Sequence, residues 1–243
     1  MSFSDARLVI RDLASMAEFH AAEELQRDVW GPDDKIDPGD LMMVIQAEGG
    51  LAAGAFLEDR LVGYIFAFPT TTPGVQHSHR LAVRAEARGL GLGLKLKLHQ
   101  ADWCLQRGIT HVRWTYYPLR LPNAALNIAR LGATASTYHR DYYGDMGGIN
   151  AGTASDRLLV DWMLDGDRYA RCRAGQAMLT PDEVKASRRI ALPADFGRLL
   201  KADPDAARAE RFRVRAEMEA ALASGLVVVG VDTEEPSYLL SRF

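Results

Sequence analysis

Two short stretches of the sequence hold residue types whose spacing could do chemistry. The first, HSH at 77–79, puts His77 and His79 two residues apart, and such positions on a β-strand face the same side. An imidazole has an ordinary pKa of about 6.5, so it can exchange protons near neutral pH. The second, RGLGLG at 88–93, places glycines at every second position after an arginine. Together the stretches predict proton transfer and the binding of an anion.

The glycine stretch is interpreted as a loop that opens a helix. Alternating leucines at 90–98 would also suit a strand, but a strand reaching Leu105 would be unusually long. Helical spacing gives one apolar stripe instead, consisting of Leu94, Leu98, Ala101, Cys104 and Leu105. The backbone N–H groups of such a loop, with the partial positive charge of the helix start, suit a phosphate or pyrophosphate. A tight turn that holds no ligand is the alternative.

The spacing of the glycines excludes two common phosphate-binding motifs. A P-loop requires Gly-Lys-Ser/Thr, whereas Gly93 is followed by Leu94. A dinucleotide-binding fingerprint requires G-x-G-x-x-G, whereas these glycines are evenly spaced by two. The anion is therefore expected to be held by a different kind of loop.

The composition sets the broad class of protein. The chain has 243 residues, of which 48% are hydrophobic and 25% charged, with a net charge of −3. This balance argues against a nucleic-acid partner. Cys104 and Cys172 lack disulfide or metal spacing, the start lacks a signal-peptide pattern, and the longest apolar run, 61–69, is too short for a membrane span. We expect a cytoplasmic protein with no membrane partner and no metal.

Periodicity and turn residues predict an alternation of strands and helices. Besides the helix after Gly93, helices are predicted at 15–30, 41–47 (capped by Asp40), 123–131 and 205–224. Strands are predicted at 7–10, 51–57, 61–68, 76–83, 111–117, 134–142, 157–164, 226–231 and 238–243. The charge balance changes after Asp165, which predicts a domain at 1–165 and a C-terminal extension or small subdomain at 166–243.

The residues around the glycine loop resemble those of a known superfamily. Leu81-Ala82-Val83, followed by Arg88, Gly91 and Gly93, is similar to the acetyl-CoA-binding motif R/Q-x-x-G-x-G/A of the GNAT N-acetyltransferases. The order of the predicted elements over about 5–165 is also similar. The resemblance implies an α/β (α+β) fold with a mixed, mostly antiparallel central sheet flanked by helices, followed by a small α/β C-terminal extension.

The same resemblance implies acetyl-CoA as the cosubstrate. The backbone of the strand end would pair with the pantetheine arm, the loop N–H groups would cradle the pyrophosphate, and Arg88 would add to the cradle. Asn123 would be either a helix N-cap or a further contact. The implied cofactor-binding residues are Leu81, Ala82, Val83, Arg88, Gly89, Leu90, Gly91, Leu92, Gly93, Leu94 and Asn123.

The histidines are the predicted catalytic groups. His77 occupies the place of the glutamate base of the superfamily, and the pair is similar to that of arylalkylamine N-acetyltransferases, so His77 is favoured over His79. The alternative is that both only decorate a strand end. The usual acid, a tyrosine, is replaced by Ile128. Tyr138 is the predicted substitute, with Tyr142, Tyr143 and water as alternatives.

We therefore predict an acyl-CoA-dependent N-acyltransferase that moves acetyl from acetyl-CoA to an amine by direct attack. The alternative function is a weak or inactive acyl-CoA-binding sensor or interaction module. The acidic segment 23–40 would favour a cationic amine, unless it is only a solvated surface. A homodimer is left open.

Overall fold

The computed structural model describes residues 8–32, 34–144 and 155–242. The described residues form two compact units. The first consists of residues 8–112, and the second of residues 113–144 and 155–242. Each unit is α/β.

The first unit begins with a strand and two helices and then adds three more strands. Its elements are β1 (Leu8–Asp12), α1 (Met16–Trp30), α2 (Gly39–Ala47), β2 (Leu51–Leu57), β3 (Arg60–Pro69), β4 (Val75–Val83), a 3₁₀ turn (Ala85–Ala87) and α3 (Leu92–Leu105). Strands β1 to β4 pair in sequence order, and each pair is antiparallel. One buried apolar cluster joins α1 and α2 to the sheet.

Local sequence explains where α1 and α2 begin. Ser15 is the N-cap of α1, and its side chain accepts a hydrogen bond from the N–H of Glu18, as capping serines commonly do. For α2, Asp40 was the predicted cap, and this was wrong. Pro38 holds that position, and the Asp40 carboxylate accepts from the adjacent Leu41 N–H. The N–H of Gly39 is satisfied by Glu23 of α1 instead, at 2.6 Å.

A β-bulge in β4 sets the direction of the side chains that matter most. Phe66 of β3 pairs with Arg80, and the next residue, Ala67, pairs with Ser78. His79 is therefore the extra residue of the bulge. Bulges of this kind re-aim side chains and are over-represented next to active sites.

The predicted helix after the glycine loop is confirmed as α3, and its predicted apolar stripe is correct only in part. Ala101 and Cys104 are buried, whereas Leu105 is exposed and Leu94 and Leu98 are only half-buried. The helix begins at Leu92. Its buried residues are Leu92, Leu96, Lys97, Gln100, Ala101, Trp103 and Cys104.

The polar residues on that buried face form a hydrogen-bonded network with β4. The Lys97 ammonium donates to Ser78 Oγ at 2.8 Å and to Gln100 Oε1 at 3.2 Å. Gln100 Nε2 donates to Gln76 Oε1 at 2.7 Å, and the Cys104 thiol donates to the same oxygen. The Lys97 side chain is only 3% exposed, and burial lowers its pKa well below 10.5.

We expect Lys97→Met to raise the free energy of unfolding at neutral pH by about 1–3 kcal/mol. The methionine keeps the length of the side chain and removes a buried cation, while Ser78 keeps Gln100 as its acceptor. Because the folded pKa of Lys97 is lowered, the unfolded chain binds more protons, and wild-type stability rises with pH toward 10.5. The variant should lack this rise.

Urea unfolding of both proteins at neutral pH and near pH 9 measures the effect of Lys97→Met. The matched control is Lys95→Met, because Lys95 is exposed on the same helix and surface changes are usually within about 0.5 kcal/mol. A Lys97→Met protein that is less stable than wild type at both pH values would contradict the expectation.

The second unit contains the remaining elements. They are β5 (His111–Tyr116), which crosses the division, α4 (Leu121–Ala124), a π-helical segment (Ala125–Arg130), β6 (Thr134–His139), β7 (Arg157–Met163), α5 (Asp167–Arg173), α6 (Pro181–Ala186), β8 (Arg188–Ala191), α7 (Phe196–Ala202), α8 (Pro204–Ala223), β9 (Val227–Asp232) and β10 (Ser237–Ser241). Its strand order is β5-β7-β6-β9-β10-β8.

Residues 166–243 continue the sheet of the second unit. Strand β9 pairs with β6 in antiparallel fashion, with Ala135 opposite Val228. The hydroxyl groups of Tyr116 and Tyr238 are 2.9 Å apart, and Tyr238 also donates to the Pro118 carbonyl. The two compact units divide at 112/113, and the domain boundary expected at 165/166 stays a prediction.

Candidate functional site

The glycine loop has the shape expected of a cradle for an anion. Gly89 and Gly91 have positive φ angles of 87° and 68°, which favour glycine over residues with a Cβ. A Cβ at either position would meet no atom within 4 Å, so the space beside the loop is open. The loop residues from Arg88 to Gly91 are exposed.

The start of α3 offers unsatisfied N–H groups to this open space. Gly91 is the N-cap, and no side chain caps the helix. Among the described residues, none accepts a hydrogen bond from the backbone N–H groups of 89–94; the first such bond inside the helix runs from Lys95 N–H to Gly91 C=O. A helix start of this kind binds anions through its N–H groups and its dipole. The cradle therefore fits the pyrophosphate of acetyl-CoA.

The predicted pantetheine-binding residues lie at the end of β4. Leu81, Ala82 and Val83 pair with Ile65, Tyr64 and Gly63 of β3. Ala82 is buried, and its two neighbours are half-buried. The end of β4 thus leads through the 3₁₀ turn directly into the glycine loop.

The structure places both predicted histidines on the same face of the sheet. The ring of His77 stacks on Phe68 with centroids 5.1 Å apart, and the ring of His79 lies 5.5 Å from the same phenyl ring. His79 also meets Phe66 edge-on at 6.0 Å. The two imidazole centroids are 6.1 Å apart. The side chain of His79 is 31% exposed.

His79 has a carboxylate partner that the sequence did not reveal. Its Nε2 lies 3.2 Å from Oδ1 of Asp37, in the loop between α1 and α2. The backbone of Asp37 is fixed by the buried side chain of Gln26: the Asp37 N–H donates to Gln26 Oε1 at 2.8 Å, and Gln26 Nε2 donates to the Asp37 carbonyl at 3.1 Å. Helix α1 therefore sets the position of the carboxylate beside the imidazole.

Arg80 and Tyr64 complete this cluster. Arg80 Nε lies 3.2 Å from Asp37 Oδ2, as an ion pair without hydrogen-bond geometry, and its guanidinium lies 4.9 Å from the centroid of the Trp30 ring. The Tyr64 hydroxyl is buried and has no hydrogen-bond partner in the part of the chain that the structure describes. Burial, and then the charge of Asp37, raise the pKa of Tyr64.

The acidic segment is less available to a cation than its composition suggested. Asp34 and Asp37 pair with Arg80, and Asp28 pairs with Arg84. Glu23 accepts from Gly39 N–H and pairs with Arg27, whereas Asp33 lies outside the described residues. Most of these carboxylates form ion pairs with arginines of the same unit. The acidic composition of the segment therefore no longer supports a preference for a cationic amine.

In the second unit, two predictions about α4 require correction or qualification. Asn123 is not an N-cap: it is the third residue of α4, which begins at Leu121 after Arg120 because Pro122 suits a first helical turn. Ile128 lies in the π-helical segment and is fully buried. The place of the usual tyrosine is thus taken by a side chain without a hydroxyl group.

The structure gives Tyr138 a role other than a free acid. Its hydroxyl donates to Oδ2 of the buried Asp156 at 2.8 Å. Burial, and then this hydrogen bond, raise the pKa of Tyr138. Its proton is therefore held by Asp156, which also receives two hydrogen bonds from Arg215.

Comparison with known families decides the identity of the first part of the chain. Residues 16–132 match the model of the acetyltransferase (GNAT) family. We call residues 16–132 the GNAT segment, after the family whose model they match. The predicted recognition is thereby confirmed, and so is the prediction of an acetyltransferase, with acetyl-CoA-dependent acetyl transfer as the general activity of the family. A comparison with curated proteins found no significant match.

Solved GNAT structures share this fold. The ribosomal-protein-S18-alanine N-acetyltransferase from Escherichia coli is 17% identical, with a TM-score of 0.55 over 66% of this chain and 96% of that one. An N-acetyltransferase from Staphylococcus aureus Mu50 is 13% identical, with a TM-score of 0.55 over 66% and 100%. The yncA protein from Salmonella typhimurium, solved with its cofactor acetyl-CoA, is 18% identical, with a TM-score of 0.54 over 66% and 96%. The predicted fold class, α/β with a mostly antiparallel sheet, is confirmed.

No helix within 8–32, 34–144 or 155–242 combines the length and apolar character that crossing a membrane requires. Over the same ranges, no group of histidine, cysteine and acidic side chains is arranged to hold a metal ion.

Proposed function

We propose that the protein transfers an acetyl group from acetyl-CoA to an amine, with His79 as the general base and Asp37 as the residue that positions it. The observation that carries the proposal is the 3.2 Å contact between His79 Nε2 and Asp37 Oδ1. His79 lies on β4, the strand that leads into the glycine loop. The family match supplies the class of reaction.

The glycine loop and α3 would hold the cofactor. The N–H groups of 89–94 would bind the pyrophosphate, and Arg88, which is exposed beside them, would add a positive charge. The backbone of Leu81, Ala82 and Val83 would bind the pantetheine arm. Acetyl-CoA supplies the acetyl group as an activated thioester.

The His79–Asp37 pair would remove the proton of the amine. With Nε2 protonated and donating to Asp37, the other ring nitrogen, Nδ1, carries the lone pair that accepts a proton. Asp37 fixes this tautomer, just as a carboxylate does in other paired bases. This assignment favours His79 over His77, because Asp37 Oδ1 lies within hydrogen-bond distance of His79 Nε2, whereas the ring of His77 stacks on Phe68.

The departing thiolate must take up a proton. The tyrosine that usually donates this proton is absent, because Ile128 occupies its position. The role of Tyr138 as the general acid stays a prediction, but its hydroxyl already donates a hydrogen bond to Asp156. We infer that solvent serves instead. A cytoplasmic location and a lack of nucleic-acid or membrane partners are likewise inferred from composition, and a homodimer stays open.

Turnover measurements test the proposed function. We expect thiol release from acetyl-CoA in the presence of at least one member of a panel of primary amines, including amino-acid, polyamine, arylalkylamine and peptide α-amine acceptors. Mass spectrometry of the acceptor should show the addition of one acetyl group. Binding of CoA without turnover across the panel would favour the alternative of an acyl-CoA-binding sensor.

A further inference from the structure

The second unit holds a buried hydroxyl that several arginines approach. The hydroxyl of Tyr117, just after β5, is buried and has no hydrogen-bond partner among residues 8–32, 34–144 and 155–242. Burial raises the pKa of Tyr117 to about 12, although the charges of Arg211, Arg157 and Arg120 oppose this rise. The hydroxyl is therefore protonated at neutral pH and can donate a hydrogen bond.

The three arginines come from separate elements. Arg120 precedes α4, Arg157 begins β7, and Arg211 lies on α8. The Arg157 guanidinium lies 5.9 Å from the centroid of the Tyr117 ring, and its Nη1 donates to the Asp156 carbonyl at 2.8 Å. The Nε of Arg211 is buried and has no hydrogen-bond partner within the described part of the chain.

The described acids near Tyr117 pair with Arg215 rather than with Arg120 or Arg211. Asp156 accepts from Arg215 through both oxygens, at 2.8 and 2.6 Å, and Asp141 lies 3.6 Å from the same guanidinium. Within the described ranges, neither Arg120 nor Arg211 forms an ion pair with a carboxylate. Arg120 and Arg211 therefore bring positive charge toward Tyr117 that no carboxylate of the described residues pairs with.

Aromatic rings lie beside Tyr117, Arg157 and Arg211. The ring of Phe196, at the start of α7, lies 5.5 Å from the ring of Tyr117. The ring of Tyr143 lies 5.0 Å from the Arg157 guanidinium, and Arg211 lies over Phe212 at 5.0 Å. Phe196 is buried, whereas Tyr143 and Phe212 are exposed, so the group is apolar on one side and open to solvent on the other.

We propose that Tyr117, Arg120, Arg157 and Arg211 form a binding site for an oxyanion, either a carboxylate or a phosphate group. Guanidinium groups bind both anions through paired N–H donors, and the tyrosine hydroxyl adds a neutral donor. A buried donor without an acceptor is unfavourable, and a bound oxyanion would satisfy both the Tyr117 hydroxyl and the Arg211 Nε.

The site goes beyond the proposed acetyl transfer, because none of its residues takes part in that proposal. Tyr117 and Arg120 lie within the GNAT segment, whereas Arg157 and Arg211 lie after it. The residues beyond the segment thus gain a role in recognition: they supply two of the guanidinium groups.

Calorimetric titration of the full-length protein with inorganic phosphate and, in a parallel arm, with sodium acetate tests the site, against a constant chloride background. We expect saturable binding of at least one anion, and the tighter arm identifies the group. Arg211→Gln and Tyr117→Phe should each weaken it by about tenfold or more. Arg208→Gln is the matched control, because Arg208 is exposed on the same helix.

Two results would overturn the site. The first is the absence of saturable binding in both arms. The second is binding that Arg211→Gln and Tyr117→Phe leave unchanged, as expected if phosphate occupied only the glycine loop. Circular dichroism of each variant checks its folding. Tyr117→Phe removes a single hydroxyl, so the test stands even if Arg211→Gln does not fold.

Discussion

The Gly91→Glu protein should lose affinity for CoA by about 100-fold or more. Gly91 is the N-cap of α3, and its open side faces no atom within 4 Å, so the new side chain has room. A carboxylate is itself a favourable partner for the N–H groups at a helix start. It would therefore occupy the cradle that the pyrophosphate needs and would repel that anion as well.

The backbone strain of this substitution can be separated from its effect on the cradle. Gly108 follows α3 with a φ angle of 70° and also faces open space. Gly108→Glu thus introduces the same side chain at the same kind of backbone position, away from the loop. Calorimetry with CoA should show near wild-type affinity for this control. Equal affinity of Gly91→Glu and Gly108→Glu would remove the basis for the cofactor site.

The sequence predicted the existence of α3 better than its orientation. Recurring leucines and the glycine at position 108, which ends the segment, predict that a helix is present. They do not predict which face is buried, because both the predicted and the observed face carry apolar residues. The observed face also buries Lys97 and Gln100, because Ser78 and Gln76 of β4 satisfy their polar groups. Such partners are distant in sequence, so local periodicity could not reveal this face.

The candidate site was predictable only in part, for a similar reason. The alternation of a strand placed His77 and His79 on one face, as the structure shows. The partner of His79 depends on the loop before α2, whose position is set by Gln26 of α1. Asp37 was visible as one acid among several, but nothing in its surroundings distinguished it from the others.

The C-terminal region was the least predictable part of the fold. The long helix α8 and the strands β9 and β10 have clear patterns, whereas α5, α6 and α7 are short and lack a periodic stripe. The pairing of β9 with β6 joins Val228 to Ala135. A contact over such a separation leaves no local signal, and a separate subdomain was the simpler interpretation.

Replacing His79 by glutamine should lower the rate at saturating acetyl-CoA by about 10²–10⁴-fold, the usual contribution of a positioned general base. Glutamine can still donate to Asp37 but cannot accept and release a proton near neutral pH. Steady-state rates with an accepted amine measure the loss. CoA affinity should stay near wild type because the glycine loop is unchanged.

His77→Gln is the matched control, since the two histidines share a strand, a face and contacts with Phe68, and the proposal places His79, whose Nε2 lies 3.2 Å from Asp37 Oδ1, as the base. We expect His77→Gln to keep most of the rate. Asp37→Asn should give an intermediate loss in kcat with little change in KM, as befits a residue that acts through the imidazole. If His77→Gln loses the rate and His79→Gln keeps it, the base is His77, and the carboxylate contact is structural. If both variants retain the wild-type rate and pH profile, the amine loses its proton to another group.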